Sequence, residues 1–226
     1  MRNKFNLLKL IQRKRHAAGF GVHSQFAYNL IKDTIHTPHS FYIYNDNRKK
    51  IRSARLKKEA DLKYAKLLFR LVNRFNAKDI LEIGSGIGIN TLYIVAHSKK
   101  TKVVCIEQDI EKIESANSLL MNNLENIVFK TELTAKENSI DAAIWDLKLF
   151  TPTSNNISDN MLEVIQKSIR TNGFIVVKQI NKGKTNKEIW QKIMQFDRLT
   201  MSFDLGAIGI GFFKPSLPKL NYDLYF

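Results

Sequence analysis

From Asp79 to Phe226, short apolar runs alternate with segments whose apolar residues recur every three or four positions. The runs include "DILEI", "KVVCI", "NIVFK", "IDAAIW" and "FIVV", which are typical of buried strands, and most are separated by segments typical of amphipathic helices. Strands that alternate with helices predict a mostly parallel, doubly wound α/β sheet. The last three runs, "LTMSFDL", "AIGIGFFK" and "NYDLYF", have no helices between them, so we expect antiparallel strands at one edge.

The first third of the chain has helical patterns and no clear strand. Apolar spacing predicts an amphipathic helix over residues 3–16, a second helix that begins near Ser24, a suitable N-cap, and a long helix over residues 55–75. The stretch "HTPHSFYIYNDN" between the last two is rich in turn-forming residues and predicts a loop. We therefore expect a basic helical N-terminal extension over residues 1–56 and a sheet domain over residues 57–226.

Charge and cysteine content narrow the class of protein. The chain has 36 Lys and Arg against 21 Asp and Glu, a formal net charge of +15, and residues 1–70 contain 17 of the basic but only 4 of the acidic residues. Such a basic excess attracts phosphate polyanions such as RNA, or anionic lipid head groups, or it is simply a solvated surface. The single cysteine, Cys105, excludes an internal disulfide and favours a cytoplasmic protein. No apolar run approaches the length of a bilayer span, so we expect no transmembrane segment.

A glycine-rich stretch, "EIGSGIG", joins the first predicted strand of the sheet to the helix after it. Gly84, Gly86 and Gly88 occupy every second position, and Glu82 precedes them. Glycine permits positive φ and lets a ligand approach the main chain, while the following helix directs backbone N–H groups toward that ligand. The dinucleotide fingerprint needs another glycine three residues after the second one, and Ile89 occupies that position, which disfavours an NAD-dependent oxidoreductase.

This spacing resembles motif I of the class I S-adenosylmethionine (SAM) dependent methyltransferases, and the resemblance extends over about residues 75–214. It implies a Rossmann-like, doubly wound, mostly parallel seven-stranded sheet with an antiparallel edge, and SAM as the cofactor. It also implies that Glu107, at the end of the second strand, binds the ribose hydroxyls, and that Glu132 and Leu133 bind adenine. The cofactor-binding residues implied by the resemblance are Glu82, Gly84, Ser85, Gly86, Gly88, Glu107, Glu132, Leu133 and Asp146.

Within that family, "SIDAAIWDLKLF" resembles the catechol-type small-molecule O-methyltransferases. The resemblance implies that Asp146 faces the methyl group and that Lys148 accepts a proton, although the family's lysine lies three residues after the aspartate and Lys148 only two. Those enzymes hold a divalent metal with this aspartate and an Asp-Asn or Asp-Asp pair after the fifth strand, where this chain has Lys178, Gln179 and Asn181. A protonated lysine is no ligand for a hard metal, so we expect no metal site and a small-molecule acceptor methylated on oxygen.

The segment "GVHSQF" resembles an "HSPF"-like element that precedes the core in bacterial relatives of this group. Its His23 is a candidate general base, because neutral imidazole accepts a proton near neutral pH. A histidine bonded to the local backbone is an equally good interpretation. We predict that residues 20–45 cover the SAM site as a lid, with His23, Phe26, Phe41 or Tyr42 nearest the acceptor.

Two other functions remain open from the sequence. The basic N-terminal third, with its interleaved aromatic residues, is also typical of an RNA methyltransferase, although "DLKLF" lacks the Asn/Asp-Pro-Pro-aromatic motif of enzymes that methylate base amino groups. The departures at 178–181 are also compatible with a SAM-binding protein that has lost catalysis. The 3–16 helix could pack against a second copy of the chain in a homodimer or lie on an anionic membrane, and its short apolar face favours packing against protein.

Overall fold

The computed structural model of the chain describes residues 2–56, 61–121, 123–149 and 155–226, and these form a single eight-stranded sheet with helices on both faces. The strand order is β3-β2-β1-β4-β5-β7-β6-β8. The strands are β1 (Asp79–Ile83), β2 (Lys102–Ile106), β3 (Ile127–Lys130), β4 (Ile140–Asp146), β5 (Ile169–Lys178), β6 (Met201–Asp204), β7 (Ile208–Phe212) and β8 (Leu220–Asp223).

Eight α-helices lie within the described residues, and four of them precede the sheet. They are α1 (Arg2–Ala17), α2 (Gln25–Leu30), α3 (Ile43–Ser53), α4 (Leu62–Phe75), α5 (Ile89–Val95), α6 (Ile110–Leu120), α7 (Asn155–Ser168) and α8 (Gly183–Met194). A π-helical turn, Ile31–Ile35, continues α2, and the short 3-10 helix Leu124–Asn126 precedes β3. No described helix is long and apolar enough to cross a lipid bilayer.

The α/β class, the doubly wound sheet and the antiparallel pairing toward its β8 edge are confirmed, but the sheet has eight strands and not the predicted seven. The run "NYDLYF" supplies an eighth strand, because β8 pairs in parallel with β6. The reversed strand is β7, which pairs antiparallel with both β5 and β6 and therefore lies inside the sheet. Since β6 runs in the same direction as β5, β7 alone among the described strands is antiparallel to its neighbours.

The N-terminal helices differ from the prediction in two places. The predicted loop "HTPHSFYIYNDN" contains the start of α3, in which Tyr44, Asn47 and Ile51 are buried at helical spacing. The predicted 55–75 helix begins only at Leu62, and residues 57–60 lie outside the described part of the chain. Asp61 caps α4, since its side chain accepts the Tyr64 backbone N–H at 3.2 Å.

Two hydrophobic clusters fill the space between the sheet and its helices. The cluster on one face includes residues of α4, α5 and α6, and it also includes Leu30, Ile35 and Tyr44 from the segment before residue 57. The cluster on the other face contains residues of α7 and α8, among them Ile165 and Trp190. The N-terminal helices therefore share a core with the sheet, and the division at 56/57 stays a prediction.

Helix α1 is attached to the last strand of the sheet. The Arg13 guanidinium lies 3.0 Å from the Asp204 carboxylate and donates to the Leu224 carbonyl at 3.3 Å. The Tyr225 N–H donates to the Arg13 carbonyl at 3.2 Å, and His16 Nδ1 lies 3.1 Å from the Asp223 carbonyl oxygen. These contacts fix a helix from the start of the chain against the β6–β8 edge.

Candidate functional site

The carboxyl ends of β1, β2, β4 and β5 lie side by side at one edge of the sheet. Ile83 pairs with Ile106 and Trp145, and Asp146 pairs with Lys178. In open parallel sheets, ligands bind beyond this edge, where the strand order reverses. The alignment brings the glycine loop, Glu107, Asp146 and Lys178 to one region.

The glycine loop leaves β1 with three residues in the left-handed region. The φ angles of Gly84, Gly86 and Gly88 are 77°, 56° and 78°, which only glycine adopts at little cost. The Gly84 N–H donates to the Ile106 carbonyl at 2.9 Å and so ties the loop to the end of β2. Gly88 forms the N-cap of α5.

Gly88 has a packing role that the sequence pattern does not reveal. A Cβ atom on Gly88 would lie 2.9 Å from Leu120 Cδ1 and 3.0 Å from Ala116 Cβ, so the missing side chain lets α6 pack against the loop. A Cβ atom on Gly86 would lie 3.1 Å from Leu149 Cδ1, in the segment that follows β4. Of the two, only Gly86 lines the cavity described below.

Glu107 lies at the end of β2 and is almost fully buried, with 3% of its surface exposed. Its Oε2 accepts the Gly86 N–H at 2.8 Å, and its Oε1 accepts the N–H groups of Gln108 at 3.0 Å and Asp109 at 3.2 Å. A carboxylate oxygen accepts two hydrogen bonds, so Oε2 retains the capacity for a donor from a ligand. The carboxylate is thus fixed in orientation before any ligand binds.

Glu82 lies beneath the loop and is buried between β1 and α5. Its Oε2 accepts the Thr91 hydroxyl at 2.6 Å, and its Oε1 has no hydrogen-bond partner among the described residues. Burial, together with the nearby charges of Asp146 and Glu107, raises the pKa of Glu82 to about 8, although the hydrogen bonds from Thr91 and Cys105 oppose the rise. The Tyr64 hydroxyl, on α4, is likewise buried without a partner among these residues.

A cavity of about 430 Å³ lies in front of the glycine loop. Asp146 lies on its wall and is only 5% exposed. Its Oδ1 accepts the Lys148 N–H at 2.9 Å, and its Oδ2 lies 3.6 Å from the Lys178 ammonium, which lies 3.1 Å from Asp61 Oδ2. The lining residues are Asp61, Ser85, Gly86, Ile87, Ile89, Asn90, Lys112, Asp146, Lys148, Leu149 and Lys178.

The donor set at this wall does not fit a divalent metal ion. Mg²⁺ and Ca²⁺ bind six or more oxygen ligands, and the Lys178 ammonium lies within 4 Å of both the Asp61 and the Asp146 carboxylates. Among the described residues, no group of three or more His, Cys, Asp or Glu side chains has metal-binding geometry. A cation placed between these carboxylates would have to displace the ammonium.

Glu132 and Leu133 follow β3, next to the end of β2. The Glu107 N–H donates to the Lys130 carbonyl at 3.0 Å, which places the segment after β3 on the far side of Glu107 from the glycine loop. The Glu132 side chain is exposed, and Leu133 packs partly against the core cluster that contains Leu81. Neither residue lines the 430 Å³ cavity.

The structure does not bring His23 to this site. His23 is exposed, and the adjacent Ser24 backbone forms a hydrogen bond with the hydroxyl of Tyr222 in β8. Since β8 is five strands from β1 and neighbouring strands are ~4.8 Å apart, the lateral distance to the glycine loop is roughly 24 Å. His23 is not among the residues that line the cavity beside Asp146, and its role as a base stays a prediction.

Residues 20–45, which we predicted to form a lid, do not line this site either. The Phe26 ring lies 5.1 Å from Phe212, and the Phe41 ring lies 5.1 Å from Phe69, so both pack into the hydrophobic layer. Tyr42 is 82% exposed. No residue of the 20–45 segment lines the 430 Å³ cavity.

Asp61 lines the cavity and Tyr64 contacts Lys178 beside it, and the sequence pattern identified neither role. Both belong to the start of α4, and both approach Lys178, whose Nζ lies 4.6 Å from the centre of the Tyr64 ring. The sequence carried a signal for the first of them, because an aspartate before an apolar helical run is a strong N-cap candidate. No sequence pattern indicates the contact of Asp61 with Lys178 at the end of β5, because that contact depends on how α4 packs against the sheet.

No protein-family model and no curated protein sequence matches the chain. Solved structures do match it, and three illustrate the likeness. A methyltransferase from Geobacter sulfurreducens has a TM-score of 0.57 and 15% identity, and the match covers 78% of this chain and 92% of that one. The O-methyltransferase from Bacillus cereus, in complex with S-adenosylhomocysteine (SAH), has a TM-score of 0.56 and 16% identity, with 80% and 94% covered. The O-methyltransferase TomG from Streptomyces achromogenes, in complex with SAM, has a TM-score of 0.52 and 16% identity, with 77% and 89% covered. The chain thus has the fold of these methyltransferases.

Proposed function

We propose that the protein is a SAM-dependent methyltransferase that methylates an oxygen atom of a small molecule without a divalent metal. The observation that carries this proposal is the 2.8 Å hydrogen bond from the Gly86 N–H to the Glu107 carboxylate. It joins the left-handed glycine loop and the acid at the end of β2 into one preformed site. The SAM and SAH complexes of the Streptomyces achromogenes and Bacillus cereus proteins support the choice of ligand.

The residues present suit the adenosyl and amino acid parts of SAM. Glu107 Oε2 is available to a ribose hydroxyl, and Glu132 and Leu133 lie on the side of Glu107 where adenine would bind. The buried Glu82 Oε1 lacks a hydrogen-bond partner within the described structure, and a ligand ammonium would supply one. Gly84, Ser85 and Gly86 provide close backbone approach.

Bound SAM would supply an electrophilic methyl group on a sulfonium. The protein's part is to orient the acceptor and to manage its proton. Asp146 is buried on the cavity wall beside Lys148 and Lys178, so its carboxylate can accept a hydrogen bond from an acceptor hydroxyl. Lys148 is exposed on the same wall and is available to exchange a proton with solvent.

Calorimetric titration with SAH tests the proposal. We expect wild-type protein to bind SAH, and Glu107→Gln to bind it at least tenfold more weakly, because an amide is a poorer acceptor for ribose hydroxyls than a carboxylate. Glu114→Gln, at an exposed glutamate of α6, is the matched control and should bind as wild type does. Equal SAH binding by all three proteins, or none by wild type, would contradict the proposed cofactor site.

Acceptor screens then separate the proposed function from the alternatives. Transfer of a labelled methyl group from SAM to small phenols would support the proposed function. Transfer only to total RNA would favour an RNA methyltransferase, the function to which the basic N-terminal third of the chain points. Binding without transfer to any acceptor would favour a non-catalytic SAM-binding protein. A cytoplasmic location and a homodimer also stay predictions, and sedimentation analysis would test the second.

A further inference from the structure

Lys178 is held at the centre of the candidate site by three groups. Its side chain is 14% exposed, its Nζ lies 3.1 Å from Asp61 Oδ2 and 3.6 Å from Asp146 Oδ2, and the Tyr64 ring lies 4.6 Å away. A lysine on a solvated surface makes none of these contacts persistently, because ordering its side chain costs entropy. The contacts of Lys178 place one positive charge at a defined point on the cavity wall.

The backbone beyond Lys178 is also fixed in an unusual conformation. Gln179 has a φ of 67°, in the left-handed region that non-glycine residues occupy at a cost. The Gln179 N–H donates to the Ala207 carbonyl at 2.6 Å, and the Asn186 side-chain amide donates to the Gln179 carbonyl at 2.9 Å. Strain of this kind clusters at functional sites, where the surrounding structure enforces it.

The cavity wall has three lysines, Lys112, Lys148 and Lys178, against the two carboxylates Asp61 and Asp146, and this excess of positive charge favours an anionic acceptor. Lys148 and Lys178 lie on either side of Asp146, and Lys148 forms no ion pair with any acidic residue that the structure describes. An ammonium has three N–H donors, and Lys178 forms its closest ion pair with Asp61, at 3.1 Å. Asp146 Oδ2, at 3.6 Å, is too far away for a good hydrogen bond, so the ammonium retains donors for a ligand oxygen.

We propose that the Lys178 ammonium binds the acceptor oxygen in place of a metal ion, and that the acceptors are acidic hydroxyl compounds, phenols or enols, bound as oxyanions. This inference rests on the methyltransferase function proposed above. The acceptor loses its proton to solvent or to Asp146, and its oxygen then forms a bond to the methyl carbon. The carbon–sulfur bond breaks and its electron pair stays on sulfur. The product is a neutral ether, which no longer pairs with Lys178 and leaves the site.

The test uses para-nitrophenol, whose anion absorbs at longer wavelength than the neutral form. The probe is added to the protein saturated with SAH, one pH unit below the probe's own pKa, where about a tenth of the free probe is ionised. We expect at least half of the bound probe to be ionised. We expect Lys178→Gln to bind the anion at least tenfold more weakly and Lys178→Arg to restore binding in part.

Lys184→Gln is the control, since Lys184 is an exposed lysine of α8 with a side chain 90% exposed. SAH titration of every variant separates the proposed methyltransferase function from the proposed role of Lys178. If the wild-type protein does not bind SAH, the methyltransferase function itself is refuted. Normal SAH binding with an equally strong anion signal in Lys178→Gln would overturn only the role of Lys178. Failure of the wild-type complex to bind the probe as an anion would likewise overturn the assignment to acidic hydroxyls. That last measurement needs no variant, so it stands even if Lys178→Gln does not fold.

Discussion

The Gly86 N–H points to Glu107 Oε2 at 2.8 Å, so a carboxylate at the end of β2 fixes the conformation of the loop that leaves β1. The loop is therefore ordered by a residue that would also contact the ligand. Preorganisation of this kind reduces the entropy lost when a ligand binds. The same hydrogen bond makes the loop sensitive to any change at Glu107.

Glu107→Gln should loosen the glycine loop even in the absence of ligand. A hydrogen bond to a charged acceptor contributes about 1.5–3 kcal/mol, so we expect the Gly86 amide to exchange with solvent at least about tenfold faster in the variant. Hydrogen exchange followed by mass spectrometry of a peptide spanning residues 84–90 measures this. Unchanged exchange in Glu107→Gln, or an equal increase in the control Glu114→Gln, would contradict the role assigned to Glu107.

Glu82 should make stability depend on pH in the direction opposite to that of most carboxylates. Its pKa of about 8 in the folded protein lies above the ordinary value of 4.5, so between these values the folded state binds the extra proton. The free energy of unfolding should therefore fall as pH rises from about 4.5 to 8, by up to ~5 kcal/mol from this group. Denaturant titrations of wild type and Glu82→Gln across that range test this, and parallel pH profiles would refute it.

Ligand binding should displace the proton of Glu82. At pH 7 this carboxyl is protonated, and a ligand ammonium beside it would lower its pKa by direct attraction. We expect SAH binding at pH 7 to release close to one proton in wild type and none from this position in Glu82→Gln. Calorimetry in two buffers of different ionisation enthalpy counts the protons. Identical proton release in both proteins would place the ligand ammonium elsewhere.

Gly88→Ala and Gly183→Ala separate the cost of backbone strain from the cost of packing. Both glycines have positive φ, 78° and 86°, but a Cβ atom on Gly183 would meet nothing within 4 Å, whereas one on Gly88 would contact Ala116 and Leu120. We expect Gly183→Ala to destabilise by about 1 kcal/mol and Gly88→Ala by a further 1–3 kcal/mol. Equal losses in thermal or chemical unfolding would show that α6 adjusts freely around the loop.

His23→Ala should leave the candidate site unchanged. Its position beside β8, roughly 24 Å laterally from the glycine loop, gives it no route to the acceptor. We expect the SAH dissociation constant and the para-nitrophenol signal of the ternary complex to stay within a factor of two of wild type. A tenfold loss of the para-nitrophenol signal would restore this histidine as a residue of the site.

Periodicity and glycine spacing predicted the sheet and the loop because both depend on local pattern. Gly84 and Gly86 adopt the positive φ angles that the sequence led us to expect, and Glu107 lies at the end of a strand next to β1, as predicted. The assignment of these residues to a cofactor stays a prediction, since it depends on a ligand rather than on the fold.

What the sequence could not supply was the packing of the N-terminal helices. The "HSPF"-like element predicted a lid, but Phe26 packs against Phe212 in the middle of the sheet, so this segment supports the core. The pairing of Asp61 with Lys178 joins residues more than 100 positions apart, which no local pattern encodes. The apolar pattern did predict the run that forms β8, but its parallel pairing with β6 depends on tertiary contacts that no local pattern encodes.

The attachment of α1 to the β6–β8 edge also constrains the order in which the protein is assembled. Arg13 and the Leu224 carbonyl that it contacts are 211 residues apart in the chain. At 5–20 residues per second, a ribosome needs roughly 10–40 s to synthesise that interval. Throughout that time α1 lacks the strands on which it docks, so it is made well before it can reach its final place.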